Sequence, residues 1–226
     1  VNVVIPDLHH YERIRQLHVA TALVASIQRP TLVLGSSQDV SILKGDASQK
    51  VALARRRGGG GAVLLLPGDV WIDWWIPVHD ARYCTDLAEQ ARLAGHWWAT
   101  ALSELTGDHF EIYDGPLTRN ETLASACFAG LGRGEVVKDG QKVVGVTQWR
   151  VREGAFISTL LPRGSSEELL DLLAVRSEEL AEAMHHGSMS SLNLIESREQ
   201  LEERLLELSG PWIREEISMA FGEPTS

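Results

Sequence analysis

The run Arg55-Arg56-Arg57-Gly58-Gly59-Gly60-Gly61-Ala62-Val63 carries the densest chemistry in this 226-residue chain. Four glycines in a row cost backbone entropy, so they need a reason. One reason is close approach of bare N–H groups to an anion. The arginines just before them supply planar cationic forks that match phosphate or carboxylate. The competing reading is a flexible basic surface loop. Spacing removes two familiar phosphate devices. No Gly-Lys-Ser/Thr follows the glycines, so the run is not a Walker loop. The glycines precede the apolar run Val63-Leu64-Leu65-Leu66 instead of opening a helix, so they are not a dinucleotide fingerprint.

Other reactive side chains have a plainer alternative. Asp69 and Asp73 suit a metal pair, yet acids in a turn and on an outward strand face are more often solvated. Cys127 is a possible nucleophile, but beside Phe128 on an expected strand it reads as a small buried hydrophobe. Trp71, Trp74 and Trp75 read as packing before they read as a stacking platform. His185-His186 ends a helix, where cationic side chains suit the dipole. Lys142, taken alone, is a solvated lysine at the start of a strand.

These residues must be positioned by a recognisable set of elements. Residues 10–29 read as a helix, because Leu17, Ala20, Leu23, Val24 and Ile27 recur mostly three and four apart and Pro30 follows. Residues 31–35 form a short buried strand and 36–39 a polar loop. A strand over 50–56 leads into the glycine run, and 62–66 leaves it as another. Pro67-Gly68-Asp69 is a turn and 70–77 a strand closed by Pro77. Residues 86–105 are helical, and 109–113 and 123–128 suit short strands. Asp139-Gly140 predicts a hairpin between 134–137 and 142–150. One more strand spans 155–161. Ser165 caps a helix running to about residue 184. A capping box at Ser197-Arg198-Glu199-Gln200 opens another over 197–221, broken near Gly210-Pro211. Strands do not alternate with helices. The order predicts one α+β domain over 1–226, a mixed or antiparallel sheet with packed helices.

Several of these segments resemble the lipoate–protein ligases, members of a superfamily shared with octanoyltransferases and biotin–protein ligases. Ala54-Arg55-Arg56-Arg57-Gly58-Gly59-Gly60-Gly61-Ala62-Val63 is similar to that family's Arg-Arg-x-x-Gly-Gly-Gly-Ala-Val signature. Leu34-Gly35-Ser36-Ser37-Gln38-Asp39 resembles its Gly-x-x-Gln-Asn loop, and Pro67-Gly68-Asp69 falls at its glycine turn. Gln141-Lys142-Val143-Val144-Gly145-Val146-Thr147-Gln148 is similar to its Lys-x-x-Gly-Ser-Ala-Gln segment. Leu65 and Leu66 depart from the pattern, standing where the family has His-Asp or His-Gly.

The resemblance implies a catalytic domain that forms lipoyl-adenylate from ATP and lipoate. The acyl group then passes to a lysine of a lipoyl-domain acceptor protein. Lys142 would be catalytic. Arg55, Arg56, Gly59, Gly60, Gly61 and Val63 would bind ATP or the adenylate. Leu34, Gly35 and Gly145 would line the acyl site. Mg²⁺ would bridge the phosphates, with Asp69 the candidate ligand. The acid could be lipoate or octanoate, and a separate accessory subunit is open. Two alternatives remain. One is octanoyl transfer from a carrier without ATP, using Cys84 or Cys127; the other is a non-catalytic binding member of the fold.

Composition bounds the partners. A net charge of −10 argues against nucleic acid held by bulk electrostatics. There is no apolar run of transmembrane length and no N-terminal signal pattern. The two cysteines make no CxxC pair or disulfide framework, which suits a reducing cytoplasm. The expectation is a cytoplasmic enzyme with no nucleic-acid or membrane partner.

Overall fold

The computed structural model describes residues 11–118, 120–163, 166–187 and 197–218. Its elements are α1 (Tyr11–Ile14), β1 (Thr21–Ser26), β2 (Thr31–Leu34), α2 (Ala47–Lys50), β3 (Ala52–Arg55), β4 (Val63–Leu65) and β5 (Val70–Pro77). They continue with α3 (Leu87–Thr106), β6 (Glu111–Ile112), β7 (Val136–Lys138), β8 (Gln141–Val151), β9 (Gly154–Leu161), α4 (Glu178–Gly187), α5 (Arg198–Ser209) and β10 (Ile213–Ser218). The larger sheet has the order β10-β1-β5-β9-β8-β7-β6, and a smaller one has the order β3-β2-β4. The β1–β10 and β2–β3 pairs are parallel and the remaining pairs antiparallel, so the fold is α+β with mixed sheets.

β5 shows why the large sheet is covered on both faces. Its side chains alternate, as a strand's must. Val70, Ile72, Trp74 and Ile76 pack with Trp97, Trp98 and Leu102 of α3 and Leu201 and Leu205 of α5. Trp71 packs on the other side with β2 and β4 residues, and Trp75 joins Leu23, Phe156 and Ile14. Trp74 has ring centroids 5.1 Å from Trp97 and 5.0 Å from Trp212. The three tryptophans of β5 are core residues, in line with the packing reading of the sequence.

Two devices position the site. α3 starts where the Asp86 carboxylate accepts from the backbone N–H groups of Ala88 and Glu89. At the other end of the site, Asp139 and Gly140 have φ of 52° and 77°, the positive pair that a tight hairpin needs. The resulting β7–β8 hairpin slips register between Val136 and Val137, opposite Val144 and Lys142. Such a bulge bends the strand and re-aims the side chains beside it.

Four expected elements differ. Residues 10–29 are not one helix: after α1 the chain forms β1, where Ala22, Leu23 and Ala25 are fully buried. A strand covered on both faces reads as a continuous apolar run, and its spacing mimics a helix. Residues 123–128 form two 3₁₀ turns, Leu123–Ser125 and Cys127–Ala129, not a strand. The helix expected up to residue 184 is divided into a 3₁₀ turn at Ser166–Asp171 and α4. Between them, Leu172 O accepts from Lys44 N at 2.9 Å and Ala174 N donates to Ile42 O at 2.8 Å, so the backbone pairs across the fold instead. The expected cap at Ser165 lies outside the described residues. After Gly210 the chain becomes β10, not more helix, because β1 offers it a parallel edge. No helix among the described residues is long and apolar enough to cross a membrane.

Candidate active site

The glycine run connects β3 to β4, and its own arginines tie it down. Arg56 is 1% exposed. Its Nη2 donates to Gly61 O at 2.7 Å and Gly59 O at 2.9 Å, and its Nε donates to Gly59 O at 3.2 Å. Arg55 Nη1 donates to Gly35 O at 3.0 Å and Gln38 O at 2.5 Å. The Gln38 side chain braces the same turn, accepting from Gly35 N at 2.9 Å and donating to Ser125 O at 3.0 Å. Both guanidinium groups therefore commit donors to loop carbonyls, where the sequence predicts that they face phosphate.

The glycines are required for different reasons. A Cβ at Gly61 would sit 2.4 Å from Ala126 C and 2.6 Å from Cys127 N, because the loop runs against residues 126–127. Gly60 has φ +99° and faces the Arg56 guanidinium. Gly59 has open space around it. Among the described residues, the N–H groups of Gly59, Gly60 and Gly61 have no acceptor. All three residues border a cavity of about 340 Å³. Three consecutive uncommitted donors beside a cavity are what an anion cradle requires.

Lys142 lines the same cavity from β8, 2% exposed. Its Nζ sits 2.5 Å from Glu135 Oε1 and donates to Cys127 O at 2.9 Å and Gly130 O at 3.3 Å. Cys127 Sγ is 3.9 Å from Nζ, and the Phe128 ring centroid is 5.0 Å away. Gly145 leaves room for this lysine, since a Cβ there would meet Lys142 Cε at 3.4 Å. Glu135 is fixed in turn: Oε2 accepts from Gly132 N at 2.8 Å and Oε1 from Val146 N at 3.4 Å. Burial pushes the Glu135 carboxyl above its ordinary range, against the pull of the Lys142 charge. Burial is also the largest influence on Lys142 and lowers it. The Cys127 sulfur and the Glu135 carboxylate together outweigh it, so the ammonium is held above its usual value.

The remaining expected site residues lie elsewhere. Leu34 is fully buried and belongs to the core around β2, and Gly35 abuts the Gly60 carbonyl. Neither borders the cavity, whose apolar lining comes from residues such as Ala91, Leu117, Leu123, Ala126 and Val146. Val63 lies behind the cavity, lining a much smaller apolar void with Phe128, Leu160 and Met184. Asp69 is a structural group: Oδ2 accepts from Leu66 N at 2.8 Å and Oδ1 from Arg163 N at 2.6 Å. Asp73 accepts from Trp71 Nε1 at 2.7 Å. Among the described residues no group of three or more His, Cys, Asp and Glu is placed to hold a metal ion, and Asp69 does not border the cavity.

Glu135 and Thr147 join the site beyond the expected residues, and Cys127, weighed above as a nucleophile, also borders the cavity. Thr147 Oγ1 donates to Gly59 O at 3.1 Å, bridging β8 to the glycine run. Glu135 has one signal in the sequence. It precedes Lys142 across an Asp-Gly hairpin, which folds the two segments together.

A family model described as lipoyl protein ligase A/B catalytic domain matches residues 8–201. No curated protein matches the chain's sequence. Among solved structures, a bi-partite lipoate protein ligase studied with its E2 lipoyl domain, from Thermoplasma acidophilum, shares the fold at TM-score 0.69 and 15% identity. That alignment covers 92% of this chain and 79% of the other. A T. acidophilum protein with bound lipoic acid aligns at TM-score 0.67 and 13% identity, over 95% of this chain and 87% of that one. A lipoate-protein ligase A bound with ATP aligns at TM-score 0.65 and 15% identity, over 91% and 77%. At these identities the likeness is one of fold.

Proposed function

This chain belongs to the lipoyl protein ligase A/B catalytic domain family, and from that premise we propose that it activates lipoate with ATP and transfers the acyl group to a lysine of a lipoyl-domain protein. The observation that carries the reading is that one cavity is lined both by Lys142 and by Gly59, Gly60 and Gly61, whose N–H groups have no acceptor among the described residues. In the first step a lipoate carboxylate oxygen bonds to the α-phosphorus of ATP and pyrophosphate leaves. Lys142 and the glycine N–H groups supply positive charge and donors to the anionic groups that meet there. In the second step an acceptor lysine amine attacks the acyl carbonyl, AMP leaves, and the amine loses a proton. Lys142 serves again, drawing charge from the carbonyl oxygen. Arg55 and Arg56 act by shaping the loop that presents the donors. Similar folds have been described with lipoic acid, with ATP and with an E2 lipoyl domain, which fits these substrates and this acceptor.

One observation favours a second reading. Cys127 borders the cavity with its sulfur 3.9 Å from the Lys142 ammonium. The same ammonium is placed to draw charge from an acyl carbonyl held beside that sulfur. The Cys127 sulfur would take the acyl group from a carrier thioester, releasing the carrier thiol, and then pass it to the acceptor amine without ATP. Cys84 has no such place, since it does not line the cavity. Binding and turnover of lipoate, octanoate and biotin, each with and without ATP, separate the two. Turnover that needs ATP supports adenylation, and turnover from an octanoyl carrier alone supports the thiol route.

A further inference from the structure

Lys142 is enclosed by protein groups, and among the described residues the one carboxylate in direct contact is that of Glu135. Its ammonium meets the carbonyl oxygens of Cys127 and Gly130, the Phe128 ring face and the Glu135 carboxylate. Arg56 opposes the charge from a distance and the Cys127 sulfur supports it. An ammonium this deeply buried, without a counter-ion, gives up its proton. The counter-ion is also built in. Glu135 is 5% exposed and fixed by the backbone N–H groups of Gly132 and Val146. Three elements therefore meet at one nitrogen: the 3₁₀ turn at Cys127–Ala129, the approach to β7, and β8.

We propose that Glu135 is the positioning residue of this site, acting through Lys142 to keep its ammonium protonated and fixed at the cavity wall. The inference rests on the functional reading above only in what Lys142 then does; the pairing itself holds under either acyl-transfer route. It follows the logic of a catalytic group oriented by a third partner. A lysine without that carboxylate has two carbonyls to hold it and a buried charge to lose. Glu135 also borders the cavity. A bound anion would thus share the ammonium with a carboxylate already in place, which keeps the lysine from being drawn fully onto one ligand.

The test uses the intact chain with ¹³C-labelled lysine. The sequence has four lysines, Lys44, Lys50, Lys138 and Lys142, so the Cε signals are few and Lys142 can be followed through a pH titration. Glu135→Gln keeps the side-chain shape and removes the charge. The expected result is that Lys142 loses its proton about 1–3 pH units lower than in the wild type, the range over which burial and charge partners move such groups. Glu135→Asp, with its carboxylate one methylene further back, should fall between the two, and it decides the matter if the Gln variant does not fold. An unchanged Lys142 titration in the folded variants overturns the proposal. In parallel, the alkaline limb of acyl-transfer activity should move to lower pH with the same variants. Because the titration needs no substrate, a wild type without acyl-transfer activity would sink the functional reading while leaving this one to be decided by the lysine signal.

Discussion

The Arg56 guanidinium donates to the Gly61 carbonyl at 2.7 Å from a fully enclosed position inside the glycine run. The residue whose type and place most suggest a phosphate ligand is thus an internal brace. Its fork reaches Gly59 as well, so one side chain fixes two carbonyls and leaves the N–H groups of the run uncommitted. Arg56→Lys keeps the charge and loses the fork. The expected outcome is a loss of about 2 kcal/mol in stability, in the range for hydrogen bonds to a charged group, together with loss of nucleotide binding. Denaturant unfolding and calorimetric titration with ATP read the two separately. Wild-type stability in this variant would show that the brace is unnecessary.

The glycines should not tolerate alanine equally. Gly61→Ala drives a Cβ against Ala126 and Cys127, while Gly59→Ala enters open space. Overpacking of this kind typically costs about 1–3 kcal/mol, and the strain falls on the turn that carries Cys127 and accepts from Lys142. Gly59→Ala should stay within about 0.5 kcal/mol of the wild type, as a surface substitution does. Thermal unfolding of both variants checks the contrast; equal losses would contradict it.

Asp69 gives a pH dependence with a definite sign. Burial is the main cause that raises its carboxyl, to about 6, despite the Arg163 and Leu66 N–H groups. A carboxyl with a raised folded-state pKa binds its proton better in the folded state than in the unfolded one. Its contribution is therefore fully present below about pH 4 and is lost as pH rises through about 6. The loss is on the order of 3 kcal/mol. Asp69→Asn removes it. The stability of the Asn variant relative to wild type should rise between about pH 4 and pH 7. Parallel curves for the two proteins would mean that Asp69 does not titrate in that window.

Cys127 and Lys142 can be separated by substitution. Lys142→Ala should abolish acyl transfer under both routes, since both use its charge. Cys127→Ser should leave ATP-dependent turnover within about threefold, roughly 0.65 kcal/mol, while ending any transfer from an octanoyl carrier. Two results together would move the assignment to the thiol route. One is a thioester trapped on Cys127 and seen by intact-mass analysis; the other is a Cys127→Ser variant inactive toward ATP and lipoate as well.

The β-rich centre of the fold is legible in the sequence where local chemistry is strong. Asp139-Gly140 marks the hairpin that carries Lys142, and Asp86 marks the start of α3. β1 is not legible, because burial on both faces removes the alternation that identifies a strand. β10 is hidden for another reason: its partner β1 lies almost two hundred positions earlier, and no local signal reports a parallel pairing. In the site, Lys142 and Gly59 to Gly61 can be picked out by residue type and motif. The direction of Arg55 and Arg56 cannot, since a guanidinium serves a carbonyl as readily as a phosphate. Leu34 and Gly35 fall away from the cavity because an apolar residue beside a motif can face the core as easily as a ligand. Glu135 escapes notice because a buried acid shows only once its partner is seen.

Purified protein incubated with ATP, Mg²⁺ and lipoate, and resolved by mass spectrometry, gives the most direct result. Lipoyl-adenylate and pyrophosphate should form with the wild type and be absent with Lys142→Ala. No adenylate from folded wild-type protein, with or without an added lipoyl domain, would contradict an ATP-dependent lipoate ligase built on Lys142 and the glycine run.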